Sequence, residues 1–221
     1  MKNIVLIGGV NQPHYTIDII NKEGKYNIVG IIDSIHDIGS DRFGYKIIGR
    51  QENIVEIIEK YNIKGGIISI GDNWARYYVS SQIKQQLPNF NFVNAIHPTV
   101  IIGDNVKLGR GITMMAGCII NPKSKIEDFV FFATGAQVDH DCNIGNFSSI
   151  SAGSITGGYV TLGDYSAITL GVTICDRLTI GSNTVVGAGS LVLNDVPDNV
   201  LVYGNPAKII RSRKLGEKFL K

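Results

Sequence analysis

The chain has 221 residues, of which 18% are charged and 44% hydrophobic, and its formal net charge is +2. That balance gives no electrostatic basis for binding nucleic acid or a membrane surface, and no apolar run is long enough to cross a bilayer. The chain start lacks the apolar core of a signal peptide, and the three cysteines, Cys118, Cys142 and Cys175, fit a reducing compartment. We therefore expect a cytoplasmic protein with room for two modest domains.

The first part of the chain alternates short apolar runs with amphipathic stretches. The alternation predicts strands over residues 3–7, 26–32, 66–70 and 90–95, helices over residues 13–21, 54–61 and 74–86, and a loop over residues 36–45. Strands and helices that alternate at this length indicate a small parallel sheet. The sequence thus predicts a truncated, Rossmann-like α/β domain over residues 1–94.

Polar or glycine-rich residues follow three of these predicted strands: Gly8-Gly9, Asp33-Ser34 and Gly71-Asp72-Asn73. In a parallel sheet the carboxyl ends of the strands meet at one edge, where ligands bind, although each loop alone is also typical of an ordinary turn. The first turn is not a GxGxxG motif, so a sugar nucleotide is a better expectation than a dinucleotide. His14 lies just beyond this turn, either as a ligand contact or as a solvated residue at the start of a helix.

From Ile96 to about Pro197 an aliphatic or bulky residue returns at every sixth position, and only Thr156 breaks the series. A second series, four residues later each time, consists mostly of small or medium residues and includes Cys118 and Cys142. Such hexapeptide periodicity predicts a parallel β-helix whose axis is filled by both series. We assign this β-helix to residues 95–221, with residues 202–210 as the cap of the last coil.

His140 lies between Asp139 and Asp141 and belongs to neither inward series, because those positions are held by Val138 and Cys142. It should therefore project from the coil. An imidazole beside a carboxylate suits a general base, while the simpler alternative is a surface histidine in a turn.

Four motifs, in the same order along the chain, resemble those of the bacterial nucleotide-sugar N-acetyltransferases of the left-handed β-helix superfamily. This group includes the bacillosamine-pathway and perosamine N-acetyltransferases. The motifs are IIDS (31–34), IGDN (70–73), TGAQVDHDC (134–142) and GNPAK (204–208).

The resemblance implies a homotrimer with active sites between neighbouring β-helices, acetyl-CoA along the coils and no metal. It implies that His140 is the general base, that Asp141 orients it, that Asp139 is a candidate contact to the sugar amine, and that the Gly158 N–H binds the acetyl carbonyl. The implied nucleotide-sugar contacts are Gly8, Gly9, His14, Asp33, Ser34, Gly71, Asp72, Asn73 and Asp139. The implied contacts to acetyl-CoA are Ser149, Gly153, Gly158, Gly171, Ala188 and Lys208.

The implied reaction is transfer of acetyl to the amine of a UDP-, dTDP- or GDP-linked amino-deoxy sugar by direct attack on the thioester. The chain departs from the family pattern in its first turn, at Ala133, where relatives usually carry Asn, and at Ser149, where many carry a second His. These departures leave the acceptor sugar open.

Three other functions remain open from the sequence. A sugar O-acetyltransferase of the sialic acid type would use His140 in the same way. A zinc hydratase of the γ-carbonic anhydrase type would need three histidines from the coils, whereas only His140 and, at the border, His97 are present. A non-enzymatic scaffold with a nucleotide-sensing domain would leave the projecting His-Asp pair without a role.

Overall fold

The computed structural model describes residues 1–10 and 12–219. The first part is an α/β domain whose sheet has the strand order β3-β4-β2-β1-β5, parallel except for the β3–β4 pair. Its strands are β1 (Lys2–Ile7), β2 (Tyr26–Ile32), β3 (Asp41–Arg42), β4 (Tyr45–Gly49) and β5 (Gly66–Ile68). Its helices are α1 (Pro13–Glu23), α2 (Ile54–Lys60), preceded by a 3₁₀ turn (Gln51–Asn53), and α3 (Asn73–Gln86).

Two predictions for this domain are wrong. The predicted loop over residues 36–45 contains a hairpin, in which Phe43 and Gly44 both have positive φ, as the tightest turns require. A phenylalanine at such a position gives little sequence signal. Residues 90–95 form no full strand: Phe92 makes a single parallel bridge to Gly66 through two backbone hydrogen bonds, and Ala95 already belongs to the first coil of the second part.

Among the described residues, the second part is a parallel β-helix of seventeen two-residue strands, β6 to β22 in chain order, on three faces. Each coil has 18 residues, so that Ile119, for example, lies beside Gln137. Face 1 has Ala95–Ile96, Thr113–Met114, Phe131–Phe132, Ser149–Ile150, Ala167–Ile168 and Val185–Val186. Face 2 has Ile101–Ile102, Ile119–Ile120, Gln137–Val138, Ile155–Thr156, Thr173–Ile174 and Leu191–Val192. Face 3 has Lys107–Leu108, Lys125–Ile126, Asn143–Ile144, Thr161–Leu162 and Thr179–Ile180.

A hairpin of β23 (Val200–Gly204) and β24 (Ala207–Ser212) extends face 1 after the last coil. The predicted fold class, a small α/β domain followed by a β-helix of hexapeptide repeats, is therefore confirmed. Both predicted inward series are buried along most of the axis, because alternate residues of each short strand point into it.

Helix α3 fixes the α/β domain to the β-helix at the corner between faces 3 and 1. Phe129, Phe147 and Tyr165 occupy equivalent positions of successive coils, and their rings stack at 4.8 and 5.5 Å. Trp74 of α3 stacks on Tyr165 at 4.2 Å. We call these three coil residues the aromatic corner. A stacked and buried contact of this kind holds the two parts in one fixed arrangement.

Arg76 of α3 penetrates this contact and is only 3% exposed. Its guanidinium donates to the carbonyl oxygens of Phe129 and Phe147 on the coils and to that of Gly71 on the loop before the helix, at 2.7–3.1 Å. Burial lowers the pKa of Arg76 to about 9, which leaves it mostly charged at neutral pH. One cation thus ties the Gly71 loop to two coils.

Candidate active site

The His140 side chain lies at the corner between faces 2 and 3, where it is about half exposed, at 47%. Its Nδ1 lies 2.9 Å from Oδ2 of Asp141, a residue in the left-handed region at φ 56°. Aspartate tolerates that conformation better than most residues, and it turns the carboxylate back toward the ring. With Nδ1–H donated to Asp141, the free lone pair of His140 is on Nε2.

Three hydrogen bonds that involve Asp139 fix the turn that carries His140. Oδ1 of Asp139 accepts from the backbone N–H of His140 and from Asn121 Nδ2, both at 2.8 Å. The hydrogen bonds from Asn121 and then from His140 hold the pKa of Asp139 below its ordinary value. Thr156, the exception in the inward series, accepts from the Asp139 N–H at 3.3 Å. The buried hydroxyl of Thr156 therefore supports the turn that presents the histidine.

Gly158 lies one coil beyond His140, directly under its ring. A Cβ on Gly158 would be 2.8 Å from His140 Nε2, so the imidazole occupies the space that any side chain would need. The Gly158 N–H donates to Oδ1 of Asp176 at 2.9 Å. The predicted oxyanion donor is thus adjacent to His140, the predicted base, and Asp176 is the acceptor that an acetyl oxygen would have to replace or share.

We predict that Gly158→Ala lowers kcat by about 10–100-fold, because the methyl group displaces the His140 ring while the backbone N–H remains. Steady-state kinetics of Gly158→Ala, His140→Ala and the double variant test this. If the methyl acts through the ring, adding Gly158→Ala to His140→Ala costs no further activity; additive losses would contradict that explanation.

A cavity of about 660 Å³ opens at the carboxyl ends of β1, β2 and β5. Five predicted nucleotide-sugar contacts line it: Gly8, Asp33, Ser34, Gly71 and Asp72. The Asp72 carboxylate also caps α3, because its Oδ1 accepts from the Ala75 N–H at 3.0 Å. Its buried Oδ2 has no hydrogen-bond partner among residues 1–10 and 12–219. The convergence of three strand-end loops on one site is thus present in the structure.

His36, to which the sequence assigned no role, contacts Asp33 at the edge of this cavity. Its Nδ1 and its backbone N–H both bond to Oδ2 of Asp33, the latter at 3.2 Å. Burial raises the pKa of Asp33, but these bonds outweigh it and leave the pKa below its ordinary value. The Asp33 carboxylate is therefore held ionised and oriented. Only the i, i+3 spacing of an Asp and a His could have indicated the pair.

Other predicted nucleotide-sugar contacts lie elsewhere. Asn73 is 1% exposed, and its amide group bonds to Ser149 Oγ and to the backbone carbonyls of Tyr165 and Ser166 within the α3 contact. Gly9 packs against the Asp33 carboxylate, where a Cβ would approach to 2.8 Å. His14 is exposed and lies on Tyr15, with ring centroids 3.9 Å apart. None of these three lines the cavity.

A second cavity, of about 290 Å³, shares Gln12 and Gly71 with the first. Its walls are largely apolar: Tyr15, Met115, Phe131, Ala133, Ala152, Leu170 and Phe219. It lies toward the corner between faces 1 and 2, whereas His140 is at the other end of face 2. The two joined cavities therefore form a polar compartment followed by an apolar one, and His140 of the same chain lines neither.

The corner between faces 1 and 2 carries Gly117, Gly135, Gly153, Gly171 and Gly189 at equivalent positions of successive coils. We call these residues the glycine corner. All five have positive φ, and a Cβ on Gly153 or Gly171 would meet no atom of the described part of the chain within 4 Å. Two predicted acetyl-CoA contacts thus lie on an open strip of backbone.

The remaining predicted acetyl-CoA contacts are spread along the molecule. Ala188 adjoins the glycine corner and Lys208 is exposed on β24. Ser149 is 1% exposed and bonds to Asn73 and Arg76, although it also borders the apolar cavity. Among residues 1–10 and 12–219 there is no cluster of three His, Cys, Asp or Glu suited to a metal ion, and no helix long and apolar enough to cross a membrane.

Comparison with known proteins agrees with this architecture. A family model described as the PglD N-terminal domain matches residues 3–83. The crystal structure of PerB from Caulobacter crescentus in complex with CoA and GDP-perosamine is 32% identical to this chain, covers 96% of it and 98% of PerB, and has a TM-score of 0.87. The acetyltransferase domain of PglB from Neisseria gonorrhoeae is 26% identical, with 95% of this chain and 100% of that domain covered, at a TM-score of 0.87.

A curated relative matches over less of its length. The acyl-[acyl-carrier-protein]–UDP-N-acetylglucosamine O-acyltransferase of Pseudomonas aeruginosa is 27% identical over 135 residues, which is 60% of this chain and 52% of that enzyme. The chain spans about half or less of the curated relatives that it matches.

Proposed function

The chain belongs to the nucleotide-sugar N-acetyltransferases of the hexapeptide β-helix type, and from this we propose that it transfers acetyl from acetyl-CoA to the amine of a nucleotide-linked amino-deoxy sugar. The observation that carries the proposal is the pairing of a polar strand-end cavity, joined to an apolar one, with a projecting His140–Asp141 pair. The polar cavity suits a nucleotide and the apolar one a deoxy sugar.

In the proposed mechanism the sugar amine attacks the thioester carbonyl directly. His140 Nε2 takes the proton that the amine loses as the C–N bond forms, and Asp141 stabilises the resulting imidazolium through Nδ1–H. The Gly158 N–H is the proposed donor to the tetrahedral oxygen. When the C–S bond breaks, the proton held on Nε2 passes to the departing sulfur, which leaves as the thiol of CoA.

We propose that the enzyme is a homotrimer in which His140 of one chain completes the cavities of its neighbour. Two observations support this arrangement. His140 lies at the opposite end of face 2 from the apolar cavity, and four of the six outward residues of face 2 are apolar (Ile101, Ile119, Ile155 and Leu191), the other two being Gln137 and Thr173. Ile101 is 61% and Ile155 43% exposed. An apolar face of this kind favours contact with another copy.

Subunit complementation tests the shared site. We predict that the variants His140→Ala and Ala75→Trp are each nearly inactive alone. The tryptophan at position 75 would fill the polar cavity. Co-expressed with different affinity tags and purified through both, the two variants should regain measurable turnover if histidine and cavity come from different chains. Mixed oligomers that stay inactive would contradict a site built from two subunits.

The substrate class is tested by turnover of acetyl-CoA with a panel of UDP-, dTDP- and GDP-linked amino sugars, with the matching 4-hydroxy sugars as controls. N-acetylation predicts a product that survives mild alkali, because an amide resists it, whereas an ester is cleaved. Alkali-labile acetyl on the hydroxy sugars would instead identify an O-acetyltransferase. Failure of every amino sugar would overturn the proposed acceptor class.

A further inference from the structure

After the last hairpin, residues 213–219 turn back from the β-helix toward the α/β domain. Arg213 is 8% exposed and donates from Nε to the Asn183 carbonyl oxygen at 3.2 Å, while Asn183 Nδ2 donates to the Lys214 carbonyl oxygen at 3.1 Å. Asn183 in turn accepts from Trp74 Nε1 of α3 at 3.0 Å. The segment is thus attached to the same contact that holds the two parts of the molecule together.

Glu217 closes this segment into a turn. Its Oε1 accepts from Arg211 Nη2 at 2.6 Å and its Oε2 from the Lys214 N–H at 3.1 Å. The hydrogen bond from Arg211, followed by that from Lys214, lowers the pKa of Glu217 to about 2. Gly216, at φ 77°, makes the reversal possible. Glu217 is therefore ionised at neutral pH and fixes the direction in which the next two residues leave.

Those next two residues each line one of the joined cavities: Lys218 the polar cavity and Phe219 the apolar one. The charges of the residues that line the polar cavity show why Lys218 matters for binding an anion. Of the described residues lining it, Asp33, Glu52 and Asp72 are acidic and Lys218 alone is basic. A diphosphate placed among three carboxylates would be repelled, so a cation is needed on the same wall.

We propose that residues 213–219 form a clamp on the nucleotide sugar, in which the Lys218 ammonium binds the diphosphate and Phe219 covers the sugar in the apolar cavity. The clamp rests on the proposed function, since it presupposes a nucleotide diphosphate. It assigns phosphate recognition to a segment outside the α/β domain, after the β-helix. It also explains why the Arg213–Glu217 turn is built so firmly on an otherwise exposed surface.

Calorimetry with UDP, GDP and dTDP, each paired with its free nucleoside, tests the clamp on the full chain. For the diphosphate that binds, Lys218→Gln should raise Kd about 10-fold, as expected for loss of one charge-assisted hydrogen bond, with nucleoside affinity unchanged. Lys214→Gln is the matched control: it removes an exposed lysine of the same segment that lines neither cavity, and its Kd should equal that of the wild type.

Two further variants separate the parts of the clamp. Glu217→Gln should weaken diphosphate binding as Lys218→Gln does, because the turn loses its ionic anchor. Phe219→Ala should raise KM for the amino-sugar nucleotide while the Kd of the diphosphate stays at the wild-type value.

The outcomes distinguish the clamp from the function on which it rests. Equal diphosphate affinity for wild type and Lys218→Gln would overturn the clamp alone. A wild-type chain that binds none of the three diphosphates would overturn the proposed function together with the clamp. Equal weakening by Lys214→Gln would mean general surface charge rather than a clamp.

Discussion

His140→Ala is expected to lower kcat by about 10²–10⁴-fold with oligomeric state and acetyl-CoA affinity unchanged. The size follows from the usual contribution of a positioned general base. The imidazole is half exposed and is bordered by Asp141, by Gly158 and by the edge-on ring of Tyr159, so its removal leaves a space open to solvent rather than a buried cavity. Single-turnover kinetics with saturating acetyl-CoA, together with size-exclusion chromatography, measure the loss.

Two other variants define what the histidine does. Asp141→Asn retains an acceptor for Nδ1 and a residue that tolerates positive φ, so it removes the charge alone, and we expect a loss of about 10-fold. Lys107→Gln, an exposed lysine on face 3, should behave as wild type. Normal turnover by His140→Ala would exclude His140 as the base and with it the proposed mechanism.

The corner that carries His140 could be predicted because the repeat assigns two of every six positions to the inward series. Once Val138 and Cys142 are assigned to the inward series, the residues between them must form a corner, and His140 must face outward. The same periodicity sets His140 and Gly158 one coil apart, 18 residues, without any knowledge of side-chain contacts. Thr156, the exception in the first inward series, gave a further indication, because a buried hydroxyl needs a hydrogen-bond partner. That partner is the backbone N–H of Asp139.

The residues that sequence reasoning missed act through contacts with no periodic signal. Arg76 bonds mainly to backbone carbonyls, which every residue possesses, so its partners leave no trace in the sequence. Lys218 lines the polar cavity only because the turn closed by Glu217 directs it there. The aromatic corner is the exception: aromatic residues at positions 129, 147 and 165 repeat with the coil length and could have indicated a contact surface.

The same distinction explains why Asn73 was assigned to the nucleotide site. It follows Asp72 on a strand-end loop, and the sequence alone gives no reason to separate neighbouring residues of one loop. In the structure the loop is divided: Asp72 lines the cavity, while Asn73 faces the coils and bonds to Ser149. Because the chain changes direction between Asp72 and Asn73 at the start of α3, the Asp72 carboxylate faces the cavity and the Asn73 amide does not.

Arg76→Met is expected to destabilise the protein by about 3–5 kcal/mol, because it removes the donor of several buried hydrogen bonds. The change leaves the carbonyl oxygens of Phe129 and Phe147 buried without their donor, and each orphaned acceptor costs about 1–3 kcal/mol. For a chain of this size the thermal midpoint should fall by roughly 6–20 °C at fixed protein concentration. Scanning calorimetry or circular dichroism measures the shift.

Lys84→Met is the matched control for Arg76→Met, because it removes a cation of the same helix at the same corner. Lys84 Nζ lies 5.0 Å from the Phe129 ring centroid and its side chain is exposed, so we expect a cost of about 1 kcal/mol or less. Arg76→Lys should fall between the two, since the three donors of an ammonium are on one nitrogen, whereas the guanidinium reaches the coils and the Gly71 loop from three separate nitrogens. A midpoint for Arg76→Met no lower than that of Lys84→Met would show that stacking at the aromatic corner, not the buried guanidinium, holds the α/β domain in place. In the opposite case the guanidinium sets the distance between the Gly71 loop and the coils. If that loop binds the nucleotide sugar as proposed, the KM for this substrate should rise in Arg76→Lys even at temperatures where the fold is intact.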